Sequence, residues 1–190
     1  IVDEYPAMGT EIRITTAPYD FKGFMGMRNF TIETMDGKKL AWANSNWTHL
    51  AISTGIPARL TPADTDNYIL SEKLEMDYAP RKIKLPDDMI SQESFTVQKH
   101  HLDTNHHVNN CQYICMAEDF LPEDFKVYQM RAEYKMQAKL GDMIWPKAKV
   151  ESGKVVVSLD DEKGKPSSIC ISWMRIFFLP AEVSISTHPS

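Results

Sequence analysis

The chain has 190 residues, of which 43% are hydrophobic and 25% are charged, and its formal net charge is −5. Such a composition is that of an ordinary globular protein, long enough for one large domain or two smaller ones that share a core. The acidic balance argues against a nucleic-acid partner, because phosphate binding requires clustered Lys and Arg. No apolar run approaches the roughly 20 residues that a membrane-spanning helix needs.

The cysteines indicate a reducing compartment. Cys111, Cys115 and Cys170 cannot form an even set of disulfides. Asp3 and Glu4 stand where a signal peptide would carry a basic segment. We therefore expect a cytoplasmic protein.

Strands dominate the prediction for the first fifty residues. Residues 10–16 alternate apolar and polar side chains, the pattern of a half-buried strand. Further strands are predicted over 25–34 and 39–50, joined by a hairpin at Asp36-Gly37. Residues 51–92 carry four prolines and are predicted to connect two halves of the chain.

The second half is predicted to surround one helix with strands. The helix covers residues 109–120 and is stopped by Pro122. Cys111 and Cys115 have the apolar neighbours expected of buried cysteines. The predicted strands cover residues 93–100, 127–137, 142–150, 154–160 and 167–178, with a turn marked by Asp161, Gly164 and Pro166.

The two halves resemble each other weakly. The segment "EYPAMGTEIRI" from Glu4 is similar to "EYKMQAKLGDMIW" from Glu133, 129 residues later (133 − 4). Ordered matches at a near-constant offset favour a duplicated unit. We therefore divide the chain into an incomplete first repeat at 1–50, a connection at 51–92 and a second repeat at 93–190. The opening strand and helix of the first repeat are expected to be absent from this chain.

A dense polar segment, "DTNHHVNN" at residues 103–110, precedes the predicted helix. Asn109 or Asn110 is a favoured helix N-cap, so the segment lies at the positive end of the helix. An oxyanion formed by attack on a carbonyl would be stabilised there. Asp103 could activate a water, while Asn105 and His107 could orient it or donate to the carbonyl. This pattern favours acyl transfer.

Two other interpretations fit the same residues. Asp and Asn commonly cap helices and form turns, so the segment could be only a solvated loop. The side chains of His106, His107, Cys111 and Cys115 are also of the types that bind zinc. Adjacent histidines in an extended stretch point in opposite directions, however, and there is no Cys-x-x-Cys pair.

The segment "LDTNHHVNNCQY" closely resembles the Asp-x-Asn-x-His-Val-Asn-Asn signature of the acyl-acyl carrier protein thioesterases, here of the bacterial type. The resemblance extends to "PYDFKGFMGMRNF", "YAPRKIKLP" and "AEYKMQAKLGD". It implies an α+β double hotdog fold, in which each antiparallel sheet wraps around a central helix.

The resemblance also implies roles for individual residues. Asp103, Asn105 and His107 match the catalytic acid, amide and imidazole of the signature. Asn109 and Asn110 match its helix-starting amides, at the end of the helix that would stabilise an oxyanion. His106 falls at a variable position and is expected to face solvent.

Two adjacent positions depart from the plant members of the family. Those carry an acidic residue and a cysteine in the strand after the helix, where this chain has Gln137 and Ala138. A plant-type thiol mechanism is therefore excluded, and Gln137 is at most a supporting hydrogen-bonding group.

The resemblance implies hydrolysis of fatty acyl thioesters on acyl carrier protein, with no cofactor and no metal. An acidic carrier would require a basic docking surface, and Arg81, Lys82 and Lys84 lie together in the connection. An acyl-CoA thioesterase and a non-catalytic acyl-binding protein remain as alternatives. The sequence leaves open whether copies of the chain associate.

Overall fold

The computed structural model describes residues 1–163 and 169–175. The chain forms two compact units, the first comprising Ile1–Pro80 and the second beginning at Arg81. The boundary between them falls inside the predicted connection. No helix in the described ranges is long and apolar enough to cross a membrane.

The first unit is built on an antiparallel sheet of three strands in the order β1-β2-β3. The strands are β1 (Ile12–Lys22), β2 (Met25–Thr34) and β3 (Lys39–Thr48), and a four-residue helix, α1 (Pro62–Thr65), follows them. The three strands predicted here are confirmed, and the first extends six residues beyond its predicted end, from 16 to 22.

The predicted hairpin between β2 and β3 is also confirmed. Its turn is closed by the Lys38 carbonyl, which accepts from Thr34 N–H at 2.9 Å. Gly37 adopts φ 91°, in the left-handed region where a side chain would be strained. Glycine at this position therefore fixes the register of the two strands.

Within its described residues, 81–163 and 169–175, the second unit contains six strands and the long helix. Its sheet has the order β4-β7-β8-β9-β6, and β5 also pairs with β7. The elements are β4 (Ile90–Ser91), β5 (Phe95–Thr96), a 3-10 helix (Lys99–His101), α2 (Asn110–Glu118), β6 (Val127–Tyr134), β7 (Met143–Glu151), β8 (Lys154–Asp160) and β9 (Ile169–Arg175).

Two strand predictions in this unit are wrong in extent. Only Phe95–Thr96 of the predicted strand 93–100 pairs, because the chain turns at Lys99–His101, where His101 N–H donates to the Gln98 carbonyl. The predicted strand 127–137 ends at Tyr134. Of the predicted turn and last strand, Gly164, Pro166 and residues 167–168 and 176–178 lie outside the described residues.

The core of the second unit lies between α2 and the inner face of the sheet. Tyr113, Met116 and Ala117 are buried on one side of α2, at the spacing of three and four residues that defines a helix face. They pack on side chains of alternate residues along β8 and β9: Val155, Val157, Leu159, Ile169, Ile171 and Trp173.

The prediction that Cys111 and Cys115 are buried is wrong. Both cysteines are exposed. The buried face of α2 is centred on Tyr113 and Ala117, and positions 111 and 115 are two residues away from it, on the opposite side of the helix. Apolar neighbours in sequence did not indicate the direction of these side chains.

The outer face of the same sheet is crossed by the segment Arg81–Asp88, called the crossing segment below. Its Ile83 N–H donates to Glu133 Oε2 at 3.0 Å, and Lys149 Nζ binds the Asp88 carboxylate at 2.6 Å. Glu133 lies on β6 and Lys149 on β7, the strands that flank β8 and β9. Five residues on the outer face of β8 and β9 are buried: Val156, Ser158, Asp160, Cys170 and Ser172.

A buried charge lies at the end of β8 on this outer face. The Asp160 side chain is 2% exposed and pairs with Lys147 Nζ at 2.9 Å. Ser158 Oγ donates to the other carboxylate oxygen of Asp160. Because both oxygens are engaged, this carboxylate is accommodated despite its burial.

The two units repeat a topology. In the second unit, β7, β8 and β9 form a meander. The last strand of the meander, β9, pairs with β6, which precedes the meander in the chain. In the first, the last strand of the β1-β2-β3 meander is bridged at Ala41 by Val2. The strands of the second meander begin 131, 129 and 130 residues after those of the first (from 12 to 143, 25 to 154 and 39 to 169).

Candidate active site

The polar segment before α2 forms a closed loop. Asp103 N–H donates to the His107 carbonyl at 2.8 Å. The Asp103 carboxylate accepts through one oxygen, Oδ1, from the backbone N–H of Asn105 at 2.8 Å and of His107 at 3.3 Å. Asp103 and His107 are half-buried and Asn105 is exposed. The loop thus holds the Asp103 carboxylate by Oδ1.

His106 completes this loop with an unusual backbone conformation. Its φ is 60°, in the left-handed region that Asn, Asp and His adopt more readily than most residues. Its side chain is exposed, as predicted.

Asn109 is the N-cap of α2, and Asn110 is the first helical residue. The Asn109 side chain accepts from Cys111 N–H at 2.8 Å, which satisfies one of the first backbone donors of the helix. Asn109 N–H donates to the His101 carbonyl at 2.9 Å, so the residues on either side of the loop are joined. The loop is thereby held against the positive end of α2.

A second loop, which follows β6, lies alongside the signature. Val108 N–H donates to the Ala138 carbonyl at 3.0 Å, and His107 is bridged to Lys139. Gly141, with φ 86°, turns the chain so that its N–H reaches the Val97 carbonyl. Gln137 is exposed on this loop next to buried Ala138.

Two tyrosines link this second loop and β6 to the helix. Tyr113 Oη accepts from Ala138 N–H at 2.7 Å, and Tyr134 Oη donates to the Asn110 carbonyl at 3.1 Å. Desolvation of its hydroxyl, with a smaller contribution from Cys111, raises the pKa of Tyr134 to about 12. The phenol therefore stays a donor throughout the physiological range.

Sequence reasoning missed both tyrosines. Tyr113 was detectable in principle, because it shares the helical spacing of Met116 and Ala117 and a buried tyrosine normally requires a partner for its hydroxyl. Its partner, the Ala138 amide, lies 25 residues away and could not be identified from the spacing.

Two of the cysteine thiols, those of Cys115 and Cys170, are not activated in this arrangement. Local desolvation, and secondarily Cys111, raise the pKa of Cys115, and burial raises the pKa of Cys170. Within residues 1–163 and 169–175, no group of three or more His, Cys, Asp or Glu side chains is placed to hold a metal ion. His106, His107, Cys111 and Cys115 thus do not form the zinc site weighed above.

The predicted basic residues lie on the crossing segment, apart in sequence from the signature. Arg81, Lys82 and Lys84 are exposed, while Ile83 between them is buried. The Lys82 carbonyl accepts from Arg131 Nη2 at 3.4 Å. The three cations are therefore presented by a segment whose backbone is bound to β6.

The family model of the acyl-ACP thioesterase C-terminal domain matches residues 73–173, just over half of the chain. This chain belongs to the acyl-ACP thioesterase family. The matched range of this family member includes the signature loop, α2 and the second loop. Among curated proteins, no sequence matches the chain.

Solved structures show the same fold. An acyl-ACP thioesterase from Bacteroides thetaiotaomicron VPI-5482 aligns with TM-score 0.80 at 22% identity, over 91% of this chain and 72% of that chain. The 12:0-ACP thioesterase from Umbellularia californica gives 0.73 at 17% identity, over 91% and 68%. A MaoC-like dehydratase from Phytophthora capsici gives 0.54 at 10% identity, over 88% and 64%.

This acyl-ACP thioesterase family member thus has the predicted α+β double hotdog fold. Its second unit has the central helix, α2. Among the residues described, the first unit has only α1 and no counterpart of α2, as expected from the sequence.

Proposed function

We propose that this chain hydrolyses fatty acyl thioesters carried on acyl carrier protein, releasing the free fatty acid and ending chain elongation. The observation that carries the proposal is the intact signature, folded as a closed loop at the start of α2, in a chain of this family. We assign the reaction to the cytoplasm because the cysteines in the described part of the chain are free thiols.

In the proposed mechanism, Asp103 acts as the general base. Its Oδ1 is occupied by two backbone N–H groups, so Oδ2 is the oxygen that accepts a proton from water. The water oxygen forms a bond to the thioester carbonyl carbon and gives a tetrahedral intermediate. Collapse of the intermediate breaks the C–S bond, and the proton held by Asp103 passes to the departing thiolate.

Asn105 and His107 act on the same reacting atoms. Both belong to the loop that Asp103 closes, Asn105 with an exposed side chain and His107 with a half-buried one. We assign them to holding the water and to donating a hydrogen bond to the thioester carbonyl. Gln137 is a supporting hydrogen-bond group on the adjacent loop, since an amide cannot accept the proton.

The start of α2 is the proposed site of the oxyanion. A helix N-terminus stabilises negative charge through its unpaired backbone N–H groups and its dipole. The Asn109 side chain already accepts from Cys111 N–H, so we assign the Asn110 N–H as a donor to the oxyanion.

No cysteine nucleophile is needed in this mechanism. The pKa of Cys170 is raised by burial and that of Cys115 by local desolvation, which favours the unreactive thiol in both. Ala138, at the position where plant members carry a cysteine, is 5% exposed and belongs to the core. Direct attack by water is consistent with these surroundings.

The carrier is proposed to dock on Arg81, Lys82 and Lys84. These residues form an exposed cationic group in a chain of net charge −5. An acidic carrier would be attracted to such a group and kept from much of the remaining surface by repulsion.

The proposed function is tested by incubating the purified protein with acyl carrier protein thioesters and CoA thioesters of several acyl lengths. The measured quantity is the free thiol released. We expect faster release from the carrier than from CoA at equal concentration. Faster release from CoA would make it an acyl-CoA thioesterase, and binding without release from either would make it an acyl-binding protein.

A further inference from the structure

Ala138 is held on both sides of its backbone by residues of the candidate site. Its N–H donates to Tyr113 Oη at 2.7 Å, and its carbonyl accepts from Val108 N–H at 3.0 Å. Tyr113 is 2% exposed and Ala138 is 5% exposed, so water does not compete freely for these groups. One residue of the second loop is thus bonded to both α2 and the signature.

The neighbours of Ala138 connect it to two residues of the proposed mechanism, His107 and Gln137. Lys139 is bridged to His107, and Gln137 precedes Ala138 directly. A fixed Ala138 backbone therefore also fixes the positions of the Gln137 backbone and the His107 backbone. A shift of the second loop would displace the signature loop as well, because Val108 pairs with it.

Packing alone does not explain a tyrosine at position 113. Its ring lies in the apolar face of α2 with Met116 and Ala117, where phenylalanine would fill nearly the same volume. The hydroxyl reaches the Ala138 amide, which would otherwise be a buried donor that needs a partner.

A second tyrosine strengthens the same junction. Tyr134 Oη, at the end of β6, donates to the Asn110 carbonyl in the first turn of α2 at 3.1 Å. The ring centroids of Tyr113 and Tyr134 lie 6.3 Å apart. The helix is therefore tied to both the strand and the loop that follows it.

We propose that Tyr113 is a positioning residue for thioester hydrolysis, acting through the Ala138 amide on the backbone of His107 and Gln137. The proposal rests on the proposed function. Tyr113 itself does not contact the reacting atoms in this scheme. Its hydroxyl sets the distance between the signature loop and the second loop at the start of α2.

The test compares Tyr113→Phe with Tyr128→Phe, which removes the same atom from an exposed tyrosine on β6. With carrier-bound substrate and at a temperature where both variants are fully folded, kcat of Tyr113→Phe is expected to fall about tenfold to hundredfold. A displacement of about 1 Å has this effect on positioned groups. KM is expected to stay near the wild-type value, because docking is unaffected.

Two further measurements separate positioning from a general loss of folding. Amide hydrogen exchange in Tyr113→Phe should accelerate at Ala138 and Val108 but not along β8. In the double variant Asp103→Asn/Tyr113→Phe, kcat should fall by less than the product of the single losses, since both changes impair one step. Destabilisation alone would multiply the two effects.

The possible results lead to different conclusions. A wild-type protein that releases no thiol overturns the proposed function, and the role of Tyr113 with it. An active wild type whose Tyr113→Phe variant has the kcat of Tyr128→Phe overturns the role of Tyr113 alone. A kcat loss that is fully multiplicative with Asp103→Asn also rejects positioning.

Discussion

Asp103 has two roles, closing the loop and acting as the proposed base, and one substitution can separate them. Its Oδ1 closes the loop by accepting from Asn105 and His107, and Oδ2 is the proposed base. Asparagine keeps an acceptor oxygen but cannot take a proton. We therefore expect Asp103→Asn to stay folded while kcat falls about 10²-fold or more, the usual scale for a lost general base. Steady-state hydrolysis of a carrier-bound thioester measures this.

Asp124→Asn is the matched control for this prediction. Asp124 is exposed in the connection between α2 and β6, and the same change there removes one charge without touching the loop. Its kcat should equal that of the wild type. If Asp103→Asn hydrolysed substrate as fast as Asp124→Asn, Asp103 would be a loop residue only.

Tyr134 makes stability depend on pH in the alkaline range. Its pKa is about 12 in the folded protein and near the ordinary value of 10 when unfolded. Between these values the unfolded chain loses the phenol proton while the folded chain keeps it, so the stabilisation present below pH 10 is lost as pH rises towards 12. The difference in unfolding free energy between wild type and Tyr134→Phe should shrink over that window.

Urea unfolding of both proteins at several pH values from 8 to 11 measures this difference. Other groups titrate in the same range, but they are shared and cancel in the comparison. A difference that stayed constant above pH 10 would mean that desolvation does not raise the pKa of Tyr134 in the folded protein.

At the scale of an element, β7 offers two lysines on the same face with different partners. Lys147 pairs with buried Asp160, and Lys149 pairs with Asp88, whose side chain is 72% exposed. Removing the partner of a buried charge costs about 3 to 5 kcal/mol, whereas an exposed ion pair contributes about 1 kcal/mol or less. Lys147→Met should therefore lower the unfolding free energy much more than Lys149→Met.

Chemical denaturation of the two variants checks this order. Both variants carry the same Lys-to-Met substitution on the same strand, so they differ little in strand propensity. The double variant Lys147→Met/Asp160→Asn should recover part of the loss, because no buried charge is then left without a partner. Equal losses for both lysines would show that water reaches Asp160.

The elements differ in how well the sequence predicted them. The strands β2 and β8 were predicted at their observed bounds, because their apolar and β-branched residues and the turns beside them are local in sequence. The strand 93–100 was predicted too long, since the turn at Lys99–His101 depends on a bond between His101 and Gln98. Which side of α2 is buried was also missed, because that depends on the sheet beneath it.

The candidate site also contains residues that the sequence could predict and residues that it could not. The signature residues are contiguous, so a motif sufficed to identify them as candidates. The second loop, with Gln137 and Ala138, reaches the signature only through pairing across about 30 residues of chain. The hydrogen-bond partners of Tyr113 and Tyr134 could not be identified from a motif for the same reason.

At the scale of the whole molecule, the proposed carrier docking depends on charge. Changing Arg81, Lys82 and Lys84 to Glu should raise KM for carrier-bound substrate about tenfold, because the attraction becomes a repulsion. A small acyl thioester analogue should be hydrolysed at the wild-type rate. Raising salt should weaken carrier turnover in the wild type, because exposed charges are screened over about 8 to 10 Å.

A matched control changes Lys22, Lys126 and Lys163 to Glu. All three are exposed, and the net charge changes by the same amount. Equal losses with this control would trace the effect to net charge rather than to a docking surface. Unchanged KM in the first variant would place docking elsewhere on the protein.

The burial of Trp173 gives the second unit an optical probe of its own. Trp173 is 1% exposed in the core beneath α2, whereas Trp145 of the same unit is 43% exposed. With Trp42, Trp47 and Trp145 replaced by Phe, the remaining indole should emit at short wavelength and resist quenching by iodide. Its red shift in a stopped-flow experiment would then time the opening of the core that supports the candidate site.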